Sequence, residues 1–231
     1  NFNTSKVTSM SGMFSDSQAT TIKGLEKFNT SNVTNMYQMF SKSHVNNLDL
    51  SNFNTSKVID MNRMFWSTYA TTIDVSSFDT SKVTDMDSMF LNCKSLADLN
   101  LSGFNTNKVT GMYALFFGCT NLIELDISNF TTSNVTNLAL MFGNCRSLKE
   151  LDLSNFNTTN VTNMNRMFEH CHNLKTIYVS DLWNMSSVTA SSNMFMNCKS
   201  LTGAVPFDST KTDVSMANYT TGYLTYKKNT N

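Results

Sequence analysis

Features that usually mark a membrane segment or a charged-ligand surface are scarce or missing in this sequence. No apolar run approaches the roughly 18 residues of a transmembrane helix, and no signal peptide is recognisable, so we expect no membrane span within the chain. Charged residues make up only 15% of the chain and the formal net charge is zero. This balance gives no electrostatic argument for nucleic acid as a partner, or for an anionic membrane.

Catalytic and metal-binding motifs are missing as well. The sequence contains no G-x-S-x-G, no H-E-x-x-H, no C-x-x-C and no phosphate-binding loop, and it has only eight glycines, three histidines and one proline, Pro206. His170 and His172 flank Cys171, but we expect their side chains to point in different directions. The sequence therefore predicts neither an enzyme nor a metal site, and no cofactor is expected.

A repeated phrase is what the sequence has in abundance. Its clearest copy is LDLSNFNTTNVTNMNRMFEHC, residues 151–171, and fixed positions of this phrase recur every 25 or 26 residues from residue 1 to about residue 200. A phenylalanine column contains Phe2, Phe28, Phe53, Phe78, Phe104, Phe130 and Phe156. An apolar pair returns eight times, as Met13-Phe14, Met39-Phe40, Met64-Phe65, Met89-Phe90, Leu115-Phe116, Met141-Phe142, Met167-Phe168 and Met194-Phe195. A period in this range with L-x-x-L-x-L spacing is typical of leucine-rich repeats.

The phrase also predicts the local structure of each repeat. Leu151 and Leu153 alternate with polar residues, which indicates a short strand with one buried face. The position before the first Met holds Asn, Asp or Ser in most repeats, and these residues favour helix N-caps. Met164, Met167-Phe168 and Cys171 follow at i, i+3, i+4 and i+7, the spacing of one helix face. A helix of one or two turns is therefore predicted between the Met and Cys columns.

These readings combine into an α/β repeat solenoid that resembles leucine-rich repeats. We predict about eight coils of 25–26 residues over residues 1–202, each with short parallel strands and a helix of one or two turns. Residues 203–231 leave the repeat and contain the strand-like segment 221–226. Because a solenoid needs a different element over its last apolar coil, this segment is predicted to be a C-terminal cap.

Two columns could carry chemistry, and each has a structural alternative. The five cysteines, Cys93, Cys119, Cys145, Cys171 and Cys198, occupy one equivalent position, which favours a ladder of buried thiols over disulfides. Acidic residues recur beside the strands, at Asp49, Asp74, Asp126 and Asp152. We favour local hydrogen bonds to the serine two residues on, and the alternative is an acidic stripe for a cation or a basic partner. Rows of Thr are interpreted as hydroxyl ladders in the turns rather than as an ice-binding face.

The phrase LDLSNFNTSNVTNMxxMFxxCxxL, as carried by residues 125–148 and 151–174, closely resembles BspA-like leucine-rich repeat surface proteins. The resemblance covers residues 1 to about 202 and implies a secreted or cell-surface bacterial protein, whose export signal or anchor we expect outside this sequence. It implies an adhesin that recognises host matrix protein, mucus or another cell. N-glycosylation sequons within the repeated phrase also favour a bacterial source, because glycans there would block stacking.

We therefore interpret the chain as a binding module whose partner is a protein or glycoprotein on host or other cells. The alternative is a structural spacer that displays another domain and has no ligand of its own. Residues that break the repeat pattern, and acidic residues beside the strands, are the best candidates for contacts, because the scaffold does not demand them. The predicted binding residues are Trp66, Tyr69, Tyr113, Glu124, Asp126, Glu150, Asp152 and Tyr178.

Overall fold

The repeats form short parallel strands that pair between successive units. A computed structural model describes residues 3–229, so Phe2, the first member of the phenylalanine column, lies outside the described residues. The strands of the described chain are β1 (Asn47–Asp49), β2 (Thr72–Asp74), β3 (Glu150–Asp152), β4 (Thr176–Val179) and β5 (Thr225–Tyr226). β1 and β2 form one parallel pair, and β3, β4 and β5 form a three-stranded parallel sheet in that order.

The strand register follows the repeat columns. Leu48 of β1 lies beside Ile73 of β2, and Leu151 of β3 lies beside Ile177 of β4. Each of these central residues is buried while its neighbours face outward, as alternation in a strand requires. The predicted parallel strands are thus confirmed in these repeats. The apolar pairs Leu99/Leu101 and Leu125/Ile127 are buried in the same way, but they do not form regular strands.

A second row of parallel contacts runs through the column that was expected to cap helices. Asn35 forms a bridge to Asp60, and its Oδ1 accepts the N–H of Tyr37 at 2.8 Å. The side-chain oxygens of Asn and Asp in this column thus accept a hydrogen bond from the backbone N–H two residues later. A helix N-cap would do the same, but here the bond lies within a turn. The bridges run without a gap through Ser9, Asn35, Asp60, Asp85, Gly111, Asn137, Asn163 and Ala190.

The predicted helix between the Met and Cys columns is wrong. Residues 3–229 contain no α-helix, and their two short 3-10 helices, Leu25–Lys27 and Val214–Met216, lie outside this segment. The segment is instead a series of tight turns, such as the one closed by the Met39 N–H and the Met36 carbonyl at 3.2 Å. Alternate backbone amides donate to the next repeat instead of to their own. The Phe40 N–H, for example, donates to the Met64 carbonyl of the next repeat at 2.8 Å.

Backbone conformation explains why no helix forms. Gln38 has φ 54° and Lys42 has φ 52°, and neither value is compatible with a right-handed helix. The equivalent two positions have positive φ in all of the remaining repeats as well. They are Gly12, Asp16, Arg63, Ser67, Ser88, Asn92, Ala114, Gly118, Leu140, Asn144, Arg166, His170, Asn193 and Asn197. The turns bury the Met, Phe and Cys columns with the spacing that a helix would have used.

The core is a set of residue columns that stack from one repeat to the next. Phe116 is buried between Phe90 and Phe142, with ring centroids 5.8 and 5.9 Å apart. The same row of stacked rings runs from Phe14 to Phe195. Offset stacking of aromatic rings adds to the stability that burial of their area provides.

The segment after the last repeat closes the row of rings. Tyr223 is fully buried and meets Phe195 edge-on, with ring centroids 5.4 Å apart. Its hydroxyl donates to the Asp208 or Lys211 carbonyl, each 3.0 Å away, and accepts the Asp208 N–H at 2.9 Å. That residues 203–231 form a C-terminal cap stays a prediction. No helix within residues 3–229 has the length and hydrophobicity to span a bilayer.

Candidate functional site

The outward-facing residues of the strand column form an acidic surface along the repeats. We call this set the strand surface and define it as Asn47, Asp49, Thr72, Asp74, Asp98, Asn100, Glu124, Asp126, Glu150, Asp152, Thr176 and Tyr178. Seven of its twelve members are carboxylates. Their backbone positions follow from the alternation that buries the leucine between each pair, so the scaffold places the charges in rows.

A groove of about 510 Å³ lies in the strand surface near β3 and β4. Five of the eight predicted binding residues line it: Glu124, Asp126, Glu150, Asp152 and Tyr178. Lys149, Lys175 and Lys227 line it as well, and the sequence interpretation missed all three. Lys149 and Lys175 stand directly before Glu150 and Thr176 in equivalent columns, and this repetition is a signal that could have identified them.

The acidic side chains bond locally, as expected. The Asp126 carboxylate accepts the Ser128 N–H at 3.0 Å, and Asp49 accepts the Ser51 hydroxyl at 2.6 Å. Hydrogen bonds from Ser128 and Ser51 lower the pKa of Asp126 and Asp49 respectively. Both carboxylates are therefore ionised at neutral pH, and their local bonds leave the negative charge in place.

Lys227 neutralises one end of this surface. It forms an ion pair with Asp152, and its ammonium lies 5.5 Å from the centroid of the Tyr178 ring. Burial raises the pKa of Asp152, but the hydrogen bonds from Lys227 and Ser154 outweigh burial and lower the pKa overall. The sequence interpretation did not connect Lys227 with this surface, because Asp152 is 75 residues away along the chain.

A second depression continues the strand surface toward the N-terminus. It measures about 430 Å³ and is lined by Asp49, Asp74 and Asp98 together with uncharged polar and apolar residues. Its lining includes no lysine or arginine. The three lysines therefore line only the groove near β3 and β4, and the charged residues that line the second depression are all acidic.

The three other predicted binding residues do not line the groove. Trp66 is half-buried between Lys42 and Arg63, whose cationic groups lie 5.1 and 5.4 Å from its ring centroid. Tyr69 is 55% exposed and packs against the His44 ring at a centroid distance of 4.2 Å. Tyr113 is 36% exposed. The structure thus separates these aromatics from the acidic residues with which they were grouped.

The cysteines form the predicted ladder of buried thiols. All five are unpaired and buried. The Cys171 thiol donates to the Phe142 carbonyl of the preceding repeat at 3.0 Å, and each other cysteine makes the equivalent bond. Burial raises the pKa of the Cys171 thiol well above its ordinary value, so this thiol is neither a nucleophile nor a ligand at neutral pH.

The expectation that the His170 and His172 side chains diverge is wrong. His172 Nε2 lies 3.4 Å from His170 Nδ1. The reason is the positive φ of 60° at His170 and the hydrogen bond from the His172 N–H to the His170 carbonyl, which turn both side chains outward while Cys171 faces the core. Burial lowers the pKa of His172, and the nearby charges of His170, Arg146 and Lys199 lower it further.

Comparison with known proteins finds one family. Searches of curated proteins and of solved structures returned no match. A family model described as "Mycoplasma protein of unknown function, DUF285" matches twice, at residues 1–102 and 92–210. The two matches together cover nearly all of the repeats, in keeping with a chain built from one repeated unit. The chain belongs to this DUF285 family.

Proposed function

We propose that the chain is a leucine-rich-repeat-like solenoid of the BspA type and acts as a binding module that a bacterial cell secretes or displays on its surface. Three observations support the proposal. The core columns repeat, successive repeats pair in parallel, and the matching family is described as a Mycoplasma family. Stacked repeats present long rows of equivalent side chains, which is how repeat proteins form extended binding surfaces.

The acidic strand surface is the observation that supports this function best. Carboxylates in adjacent parallel strands repel one another, and a partner that carries lysine or arginine relieves that repulsion on binding. Glu124 and Glu150 make no ion pair within the described residues and are exposed, so they are available to such a partner. The proposed ligand is a basic segment of a protein or glycoprotein on a host cell or another microbe. It lies along the strand surface so that its cations meet Glu124 and Glu150 beside Tyr178.

Binding to immobilised matrix proteins and mucin tests this function. We expect at least one panel member to bind the purified chain, with an affinity that falls as salt rises. Replacing both groove glutamates, Glu124→Gln with Glu150→Gln, should weaken binding roughly tenfold, because two attractive charges are lost. Glu26→Gln is the control, since it removes an exposed carboxylate outside the strand surface.

The aromatic residues give a second, independent comparison. Tyr178→Ala should weaken binding, because the Tyr178 ring lines the groove. Trp66→Ala and Tyr113→Ala should have little effect, because these two residues lie outside the groove. Circular dichroism should show an unchanged fold for all three variants. Failure of every panel member to bind would contradict the proposal and would favour a structural spacer instead.

A further inference from the structure

A pair of histidines outside the strand surface has the geometry of a metal-binding site. His170 and His172 flank the buried Cys171, and their rings lie on the same side of the turn with centroids 5.6 Å apart. His172 is exposed and His170 is half-buried, so solvent reaches the pair. Neither residue contributes to the core or to the groove.

The separation of the two nitrogens matches a shared ion. His170 Nδ1 and His172 Nε2 are 3.4 Å apart. Two imidazole nitrogens bound to one tetrahedral zinc ion at bonds of about 2.0–2.1 Å lie roughly 3.3 Å apart. We propose that His170 Nδ1 and His172 Nε2 bind one divalent transition metal ion of the kind that prefers imidazole, with zinc as the probe. This site is independent of the proposed adhesive function.

Glu169 orients the His170 ring and favours the tautomer whose Nδ1 can bind the ion. Its Oε1 lies 3.4 Å from His170 Nε2, and its Oε2 lies 3.8 Å from Arg166 Nε, which holds the carboxylate in position. A carboxylate at Nε2 keeps the proton on that nitrogen, which leaves the Nδ1 lone pair directed toward His172. The Asn197 amide, 3.2 Å from the same Nδ1, is likewise placed to donate to it.

Binding requires a proton shift and the loss of one hydrogen bond. With the His170 proton on Nε2, its single Nδ1 lone pair accepts either from His172 Nε2 or from the Asn197 amide, and the His172 proton must be on its own Nδ1 before Nε2 can coordinate. The Asn197 amide must also leave His170 Nδ1. Both imidazoles stay neutral, no other bond changes, and water fills the remaining positions around the ion.

Two features set the strength and the limits of the site. Within residues 3–229 no group of three or more His, Cys, Asp or Glu side chains is placed to hold a metal ion, so the pair is an open two-ligand site. The charges of Arg146 and Lys199 act on His172 and oppose a cation, whereas the Glu169 carboxylate favours one. The neighbouring Cys171 and Cys198 thiols do not compete, because they are buried with strongly raised pKa values.

Calorimetric titration of the full chain with zinc chloride, under non-thiol reducing conditions, tests the proposal. We expect one ion per chain, and His170→Gln and His172→Gln should each abolish that binding. Glu169→Gln should weaken it by about 10- to 100-fold, as loss of a carboxylate behind a histidine ligand does. Asn197→Gly should bind zinc as tightly as the unmodified chain or more tightly, because it removes a competing donor and suits the positive φ at that position.

His44→Gln is the matched control, because His44 is the third histidine and its ring packs on Tyr69 rather than on another imidazole. It should leave zinc binding unchanged. Thermal unfolding followed by circular dichroism separates a lost ligand from a lost fold. The proposal is overturned if His172→Gln, at an exposed position, binds zinc as the unmodified chain does, or if the unmodified chain binds none.

Discussion

Lys227 reaches across β4 to form an ion pair with Asp152 on β3, while its own N–H donates to the Val179 carbonyl of β4 at 2.8 Å. The residue that follows β5 is therefore attached to both other strands of the sheet. Its ammonium also lies over the Tyr178 ring. The C-terminal segment thereby joins the sheet and lines one end of the acidic groove.

This attachment predicts a pH-dependent contribution to stability. The lowered pKa of Asp152 means that the pair stabilises the fold above the unfolded aspartate pKa of about 3.9 and stops doing so as pH falls through the lower folded value. The raised pKa of Lys227 means that the contribution is also lost as pH rises through the folded lysine value. Lys227→Met should therefore lower the unfolding temperature slightly at pH 7 and not at the extremes.

Thermal scans at several pH values measure this effect. Because both side chains are partly exposed, high salt should reduce it. In an Asp152→Asn background Lys227→Met should cause little further change. An equal effect of Lys227→Met in both backgrounds would mean that the ion pair does not stabilise the protein.

For Asp60 we predict the opposite effect: its ionised carboxylate lowers the stability of the fold. Burial raises the pKa of Asp60, and the negative charge of Asp85 on the next repeat raises it further. A carboxyl group whose folded pKa is raised lowers stability once it ionises, so the cost is absent below the unfolded pKa and complete above the folded pKa. Asp60→Asn should therefore raise the unfolding temperature at pH 7 by about 1–2 °C, and the gain should shrink as the pH is lowered.

The amide is expected to replace Asp60 without loss of the turn, because Asn35 in the same column accepts its backbone hydrogen bond in the same way. Asp49→Asn is the control. The pKa of Asp49 is lowered by its bonds to Ser51, so that substitution should give no gain at pH 7. A lower unfolding temperature for Asp60→Asn would show that the charge is favourable where it lies.

The stacked rings predict a large cost for a core deletion. Phe116 is fully buried between two other phenylalanines, so Phe116→Ala should reduce the free energy of unfolding by about 3–5 kcal/mol. Phe14 lies at the end of the row and is only partly buried, so Phe14→Ala should cost clearly less. Urea denaturation of both variants measures the difference. Equal losses would indicate that the row of rings is not the stabilising feature.

The positive φ values give a test of the turns that replaced the predicted helix. Leu140 has φ 62°, where a β-branched side chain is strained, so Leu140→Val should destabilise the protein by roughly 1–2 kcal/mol. Leu140→Asn should be better tolerated, because asparagine adopts this conformation more readily and occupies it at Asn144. Ile59→Val, at a residue that is 51% exposed, should change stability by less than about 0.5 kcal/mol.

Chemical denaturation measures the stability of the three variants and thereby tests the turn conformation at Leu140. In a helix the two substitutions would cost about the same, because valine and asparagine have similar helix propensities. A Leu140→Asn variant no more stable than Leu140→Val would therefore contradict the turn conformation.

Several features could be read from residue columns alone. The period, the identity of the buried columns, the parallel pairing of Leu48 with Ile73, the cysteine ladder and the Asp49–Ser51 bond all follow from local chemistry repeated at a fixed spacing. Each of these features depends on a residue and its equivalent in the next repeat. An alignment of the sequence with itself therefore contains the necessary information.

The conformation between the Met and Cys columns was decided only by the tertiary structure. Met36, Met39, Phe40 and Ser43 have the spacing of a helix face, and the turns bury the same residues. What distinguishes the two is where the amides donate, and the Phe40 N–H reaches a carbonyl of the next repeat. The spacing of apolar residues does not reveal such bonds, because it indicates which residues are buried and not the partner of each backbone group.

The same reasoning applies to the surface. The sequence identified Glu124, Glu150 and Tyr178 as candidates, because they stand beside the strands. It did not place Lys227 among them, and it predicted that His170 and His172 diverge. Convergence of side chains from distant or strained positions depends on the path of the folded backbone, here on β5 joining β4 and on the positive φ at His170. The sequence alone therefore determined the repeat and its core, and the tertiary structure decided which surface groups meet.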